Sequence, residues 1–281
     1  MSESVVFFNG GYVLESEASI PAISNAVAFG ESCLDTLRSY EGKFLRLDAH
    51  FHRLKKGAEL LHVDIPFTLE TFRETILQLL EKNDLLSKHA KIRTQIGITS
   101  KSFHPPKPDF FVLIEASELI DSSKSVELKT SPYKKIVSDS LGLGLKTSQY
   151  LNNLIAFRDA RSSGFDDAIV YDAAQHVCET SIANIFWGKD GAIFTPGVET
   201  GILPGITRDF VMDVLRDVGN EVKEGSIDAS ELKSADFAFI TNSLKEWKPV
   251  SRIDDTLFET QGEALHAIFH HLETKRNAEL C

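Results

Sequence analysis

The 281-residue sequence predicts an α+β protein built in two halves. Three observations lead there. Strand-like and helix-like segments do not alternate strictly, which argues against a single doubly wound sheet. The length suits one large domain or two medium ones. A polar stretch, Glu118–Lys124, contains Asp121-Ser122-Ser123 and makes the best linker. The halves are therefore expected over residues 1–118 and 126–281, joined by 119–125.

In the first half, Val5–Phe8 and Tyr12–Leu14 flank Asn9-Gly10-Gly11, a favourable hairpin turn. Arg38–Leu47 reads as a second hairpin turning at Glu41-Gly42. Asp48 is placed to cap a helix over His50–Leu61. Thr68 opens another helix, Leu69–Lys82, whose Phe72, Ile76, Leu79 and Leu80 recur at helical spacing. Strands follow at Ala90–Thr99 and Phe110–Ser117. In the second half, Ser125–Thr130 reads as a strand and Leu151–Ser162 as a helix ended by Gly164. Strands are expected at Ala168–Asp172, Ile185–Trp187, Ile193–Thr195 and Phe237–Thr241, and helices at Thr207–Val218 and Gln261–Glu273.

The chain is 42% hydrophobic and 25% charged, and no apolar run approaches the ~20 residues that span a bilayer. MSESVVFFNGG lacks a basic patch before an apolar core, so no signal peptide is expected. Cys33, Cys178 and Cys281 have neither metal nor disulfide spacing, and their odd number fits a reducing compartment, the cytoplasm. A formal charge of −11 argues against nucleic acid and anionic membranes as partners. His50-x-His52 and His270-His271 lack a third ligand at sensible spacing, so no metal is expected.

The run LGLGLKTSQYLNN raises the question of a phosphate loop. Position 140 is not glycine and Leu145 precedes Lys146, so the Gly-x-x-x-x-Gly-Lys pattern fails. A dinucleotide fingerprint would need glycine where Thr147 stands. Gly142 and Gly144 then read as strand positions close to other backbone. What remains is a lysine between an apolar segment and a helix. Partial desolvation there would lower the pKa of its amine and make it nucleophilic. The alternative, which this lysine taken alone favours, is a surface lysine whose stem lies along apolar neighbours. Lys134 and Lys135, an adjacent pair after Pro132, read as a surface loop.

From Lys146 onward the order is distinctive: a lysine, an Asn-containing helix, GFDDA, CETSIANIF, FTP and GITR. Together with LDAHFHRL in the first half, this series closely resembles the fold-type IV pyridoxal-phosphate enzymes, the class IV aminotransferase family. That family contains branched-chain aminotransferases, D-amino-acid aminotransferases and aminodeoxychorismate lyase. The resemblance implies a two-domain fold with the active site between the domains, pyridoxal 5'-phosphate as cofactor, and a homodimer. Lys146 matches the lysine that forms the internal Schiff base and shuttles the Cα proton. Glu179 matches the carboxylate on the pyridine nitrogen. Ile206 and Thr207, at a helix N-terminus suited to anions, match the phosphate cradle. Arg53 matches the phosphate arginine. Ser243 falls at a further phosphate position, Leu203 at the ring face, and Tyr150 at the tyrosine on the ring oxygen, one residue nearer the lysine than in the branched-chain enzymes.

Substrate positions depart from the pattern. In FGESCLDTLRSY, Leu34 replaces an aromatic and Asp35 a glutamate, positions that usually touch substrate in the family. Arg93 resembles an arginine of the branched-chain group that meets a side chain or carboxylate. The Arg-x-His pair of D-specific enzymes is incomplete, since His104 is present but Ser102 stands for the arginine. Thr36, Asn242 and the run ANIFW resemble the lyase, whereas Thr207 stands where lyases more often have methionine. The resemblance implies an aminotransferase moving an amino group between an amino acid and a 2-oxo acid by a ping-pong route. The alternative is a lyase releasing pyruvate and 4-aminobenzoate from aminodeoxychorismate. A cofactor-free binding protein on the same fold is the remaining reading.

Overall fold

The computed structural model describes residues 3–103, 105, 107–120, 124–135 and 145–281. Asp121-Ser122-Ser123, His104, Gly142 and Gly144 lie outside the described residues. The chain divides into two compact units, 1–120 with 145–149 and 279–281, and 121–144 with 150–278. The first boundary falls in the polar stretch noted above. The residues around Lys146 go to the first unit rather than the second, because they pair with one of its strands.

The first unit contains β1 (Val5–Phe8), β2 (Gly11–Leu14), α1 (Asn25–Ala28), β3 (Ser32–Tyr40), β4 (Lys43–Phe44), α2 (Leu47–Leu60), α3 (Leu69–Lys82), β5 (His89–Ile98) and β6 (Phe110–Glu118). Its strands form one antiparallel sheet in the order β2-β1-β6-β5-β3-β4. Both hairpin turns use left-handed backbone, at Asn9 (φ 49°) and Gly10 (φ 95°), then Glu41 (φ 54°) and Gly42 (φ 82°). Such turns match the twist of the strands they join. Thr68 caps α3 by accepting the Thr71 N–H at 3.2 Å, and Phe72, Ile76, Leu79 and Leu80 are buried in the core. Each such side chain contributes about 1.5–3 kcal/mol. The expected cap of α2 is corrected. Arg46, at φ 51°, is the N-cap and Asp48 lies in the first turn, where its charge still favours the helix dipole. The helix starts earlier because Leu47 is itself a core residue.

The second unit contains β7 (Val126–Thr130), α4 (Leu151–Ser162), β8 (Asp167–Tyr171), β9 (Val177–Thr180), β10 (Asn184–Lys189), β11 (Ala192–Pro196), α5 (Ile206–Asp217), β12 (Val222–Gly225), α6 (Ala229–Lys233), β13 (Phe237–Asn242), β14 (Glu246–Ile253), β15 (Thr256–Leu257) and α7 (Glu263–Glu279), the last residue of which counts with the first unit. The described strands form a mixed sheet, β12-β11-β10-β13-β14-β7-β8-β9, with β15 on β14. Every residue of β8 is buried, as are Asn184–Gly188 of β10. Their near-continuous apolar runs are those of strands covered on both faces. β9 and β14 had no clear sequence signal. β9 carries Cys178 and Glu179, and β14 contains Pro249, a residue that ordinarily speaks against a strand interior.

Candidate active site

Alternation along β3 decides what each of its side chains can do. Cys33, Asp35, Leu37 and Ser39 are buried, while Leu34, Thr36 and Arg38 are half-buried on the other face. Asp35 therefore enters the core between two apolar residues, and α2 meets it with His50 and Arg53, one turn apart. His50 Nδ1 lies 2.6 Å from Asp35 Oδ1, Arg53 Nε donates to Oδ2 at 2.6 Å, and an Arg53 Nη donates to Oδ1 at 3.1 Å. Burial alone would raise the Asp35 pKa. The Arg53 and His50 charges and hydrogen bonds outweigh it and hold the carboxyl at about 2. The expectation that position 35 touches substrate is corrected, since this carboxylate is buried, 2% exposed, and faces Arg53 and His50. His50 Nδ1 is thereby turned toward the core, facing Asp35.

On the half-buried face the three substrate candidates come together. Thr36 is the cross-strand partner of Arg93, and Leu34 that of Gln95. Arg93 Nη donates to Glu115 at 2.7 Å. Lys146 joins this strand directly. The Leu34 N–H donates to the Lys146 carbonyl at 2.9 Å, the Ser148 N–H to the Ser32 carbonyl at 3.0 Å, and Cys33 bridges Thr147. Gln95 Nε2 reaches the hydroxyls of Ser32 (3.4 Å) and Ser148 (3.3 Å). Lys146 is half-buried, and its carbonyl is held by Leu34, the residue next to Asp35.

In the second unit the centre is Glu179, 6% exposed. Its Oε2 accepts the Leu203 N–H at 3.0 Å and Asn184 Nδ2 at 3.4 Å. Its Oε1 meets Lys135 Nζ. The surface-loop reading of Lys135 is thereby corrected, although its neighbour Lys134 is exposed. Asn184 Nδ2 also donates to the Leu203 carbonyl at 2.9 Å, so one amide ties the carboxylate to the chain entering α5. This explains the glycine of GITR. A Cβ on Gly205 would lie 2.1 Å from Asn184 Oδ1. Gly205→Ala is expected to cost about 1–3 kcal/mol by overpacking, read as a lowered urea midpoint, and to loosen Glu179 with it.

Gly205 caps α5 without a side-chain hydrogen bond, so the first-turn N–H groups of Ile206 and Thr207 have no capping side chain. The Thr207 hydroxyl donates to that of Ser243 at 3.4 Å. An uncapped helix start beside two hydroxyls is a donor set for an anion. Arg208 has a different task. It is 2% exposed and donates to the Pro196 carbonyl at 2.8 Å and to Glu224 at 2.9 Å, fastening α5 to β11 and β12. Asn242 is also employed structurally. Its Oδ1 accepts the Leu244 and Lys245 N–H groups at 3.0 and 2.8 Å, and its Nδ2 donates to the Ile182 carbonyl at 3.2 Å. Tyr150 is the N-cap residue of α4. Asp167, of GFDDA, is buried. Its Oδ1 accepts the Ala168 N–H at 2.7 Å and the hydroxyl of Ser181, which steadies the turn following Glu179.

Two of the three thiols are shielded. Burial, with the Asp35 charge, pushes Cys33 up to about 12, and burial with the Asp172 and Glu179 charges does the same to Cys178. Cys281 is exposed. A thiol reagent at pH 8 is expected to modify only Cys281 in the native protein and all three cysteines after unfolding. Among the described residues no cluster of three metal-ligating side chains occurs, and no helix is long and apolar enough to cross a membrane.

The residues fit pyridoxal phosphate by their own chemistry: a buried carboxylate already matched to a cation, an uncapped helix start with two hydroxyls, and a half-buried lysine. A mixed α/β fold carrying these groups defines a fold-type IV pyridoxal-phosphate enzyme. The chain belongs to the class IV amino-transferase family, whose model matches residues 32–253. It is 30% identical over 270 residues to the aminodeoxychorismate lyase of Bacillus subtilis, covering 94% of this chain and 92% of that one. The branched-chain aminotransferase of Thermoproteus uzoniensis with norvaline superposes with a TM-score of 0.91 at 26% identity, covering 99% and 96%. The T.th. branched-chain aminotransferase with pyridoxamine 5'-phosphate gives 0.88 at 27%, covering 100% and 99%.

Proposed function

We propose that this chain binds pyridoxal 5'-phosphate through Lys146 and transfers amino groups between amino acids and 2-oxo acids by a ping-pong route. The observation that carries this reading is Glu179, a buried carboxylate held by Asn184 and by the N–H of Leu203, three residues before the uncapped start of α5. When bound, the cofactor supplies an electron sink for charge developing at the substrate Cα. The protein's residues do the rest. The Lys146 amine is the covalent anchor and afterwards carries the proton to and from Cα. Glu179 would pair with the ring nitrogen and keep a proton there, and Leu203 would lie at the ring face. The N–H groups of Ile206 and Thr207, the hydroxyls of Thr207 and Ser243, and the Arg53 guanidinium orient the phosphate. Tyr150 would donate to the ring oxygen. Leu34, Thr36 and Arg93, neighbours on one sheet face, meet the substrate, with Asn242 shaping the turn at Ser243.

A second reading keeps the same cofactor. The likeness to the Bacillus subtilis lyase, with Thr36 and Asn242 at positions that resemble the lyase, favours cleavage of aminodeoxychorismate to 4-aminobenzoate and pyruvate. Half-reaction spectroscopy separates the two. Amino acids that convert the cofactor's visible band without a second substrate support the transaminase, and a panel of L- and D-forms gives its handedness. Release of 4-aminobenzoate in the absence of any 2-oxo acid supports the lyase. No spectral response to either substrate class would overturn both. The free thiols support a cytoplasmic location, and a homodimer is the assembly we expect.

A further inference from the structure

We propose that Lys135 is the counter-ion that keeps Glu179 charged and aimed, a positioning residue of the cofactor site. This inference rests on Glu179 being the partner of the ring nitrogen. The two side chains are buried together, 16% and 8% exposed, and come from distant parts of the chain. Lys135 is placed by backbone, its N–H donating to the Tyr171 carbonyl at 2.8 Å at the end of β8. Its side chain then reaches Glu179 Oε1 on β9. Lys134, one residue earlier, is exposed; its carbonyl accepts from Asn152 at 3.2 Å and its ammonium lies 5.8 Å from the centre of the Tyr171 ring, away from Glu179 Oε1. The pair of lysines therefore splits between solvent and site.

Counting acceptors shows what Lys135 adds. A carboxylate has two oxygens and about four lone-pair positions. Oε2 takes two neutral donors, and Oε1 takes the ammonium. One position on Oε1 remains for a further N–H. The neutral donors fix direction but leave the negative charge uncompensated, and a buried carboxylate without a cation is strongly disfavoured. Lys135 supplies that cation before any cofactor arrives. The carboxylate thus stands ready and need not be ordered on binding.

The test uses the full chain as apoprotein, with Lys135→Met, Lys135→Arg, Glu179→Gln and the double variant Lys135→Met/Glu179→Gln. Thermal melts of the apoproteins come first. Each charge-removing single variant is expected to melt several degrees lower, and the double variant to regain more than half of that loss, because neither charge is then stranded. Simple addition of the two losses would overturn the pairing. Pyridoxal phosphate affinity is then measured by titration of intrinsic fluorescence. Lys135→Met is expected to weaken binding by about tenfold or more, while Lys135→Arg stays within about threefold of wild type. Unchanged or tighter binding in Lys135→Met, with wild type binding well, overturns the positioning role alone. Wild type that binds no pyridoxal phosphate overturns the cofactor reading and the positioning role with it, and the melts still judge the ion pair.

Discussion

Replacing Lys146 with alanine is expected to lower turnover by a factor on the order of 10⁶, the scale seen when a covalent catalytic group is removed from other enzymes. The strand pairing should survive, because the Lys146 link to β3 is made by its carbonyl, which any residue supplies. Arginine should not rescue, since a guanidinium stays protonated and offers no free amine. Spectra of the purified variant mixed with pyridoxal phosphate are the check. If the visible band of lysine-bound cofactor persisted in Lys146→Ala, another amine would be the anchor. Lys134 or Lys135 would then be examined by the same substitution.

Asp35→Asn is expected to destabilise the protein by about 3–5 kcal/mol at neutral pH, the cost of breaking a buried pair from one side. The sign with pH follows from the titration. Asp35 titrates at 3.8 when unperturbed and at about 2 in the fold. A lowered folded value gives stability that is fully present above the unfolded value and is lost as pH falls through about 2. The difference between wild type and variant should therefore shrink across about pH 4 to 2, by about 2–3 kcal/mol for a shift of this size. Urea unfolding at several pH values measures it. A variant whose deficit stayed constant through that window would show that the charge of Asp35 is not what stabilises the fold. Because Asp35 holds Arg53 by two nitrogens, the variant should also bind inorganic phosphate and pyridoxal phosphate more weakly.

Where sequence and fold agreed, strong local signals decided the outcome. The helix Leu69–Lys82 was found with both ends correct, because Thr68 caps it and its apolar residues keep one face. The Asn9-Gly10 turn needed left-handed backbone and had the residues that tolerate it. Asp35 was legible in principle. Cys33-x-Asp35-x-Leu37 places it on the core face, and His50 and Arg53 are three residues apart on a helix. It was read instead as a substituted substrate position. Lys135 gave no local signal, since its partner lies 44 residues away and only the strand order brings them together. The same holds for Asn184 and Gly205, whose close approach depends on tertiary packing. The strand Glu246–Ile253 was hidden by Pro249 and by its charged residues, which tertiary pairing to β13 and β7 overrides.

The attachment of 145–149 to β3 has a consequence for taking the protein apart. The chain leaves the first unit after Ile120, returns to it at Leu145, and departs again after Gln149. A fragment cut at the polar stretch would thus carry a β3 stripped of its bridge to Thr147, with the Leu34 N–H and the Ser32 carbonyl left to water. It would also lack Lys146. Dissection by truncation therefore cannot yield a finished first unit. A more faithful version would also restore residues 279–281, which pair with Phe44, and add a short peptide spanning Leu145–Gln149, whose docking would report directly how strongly the strand grips the segment that carries the lysine.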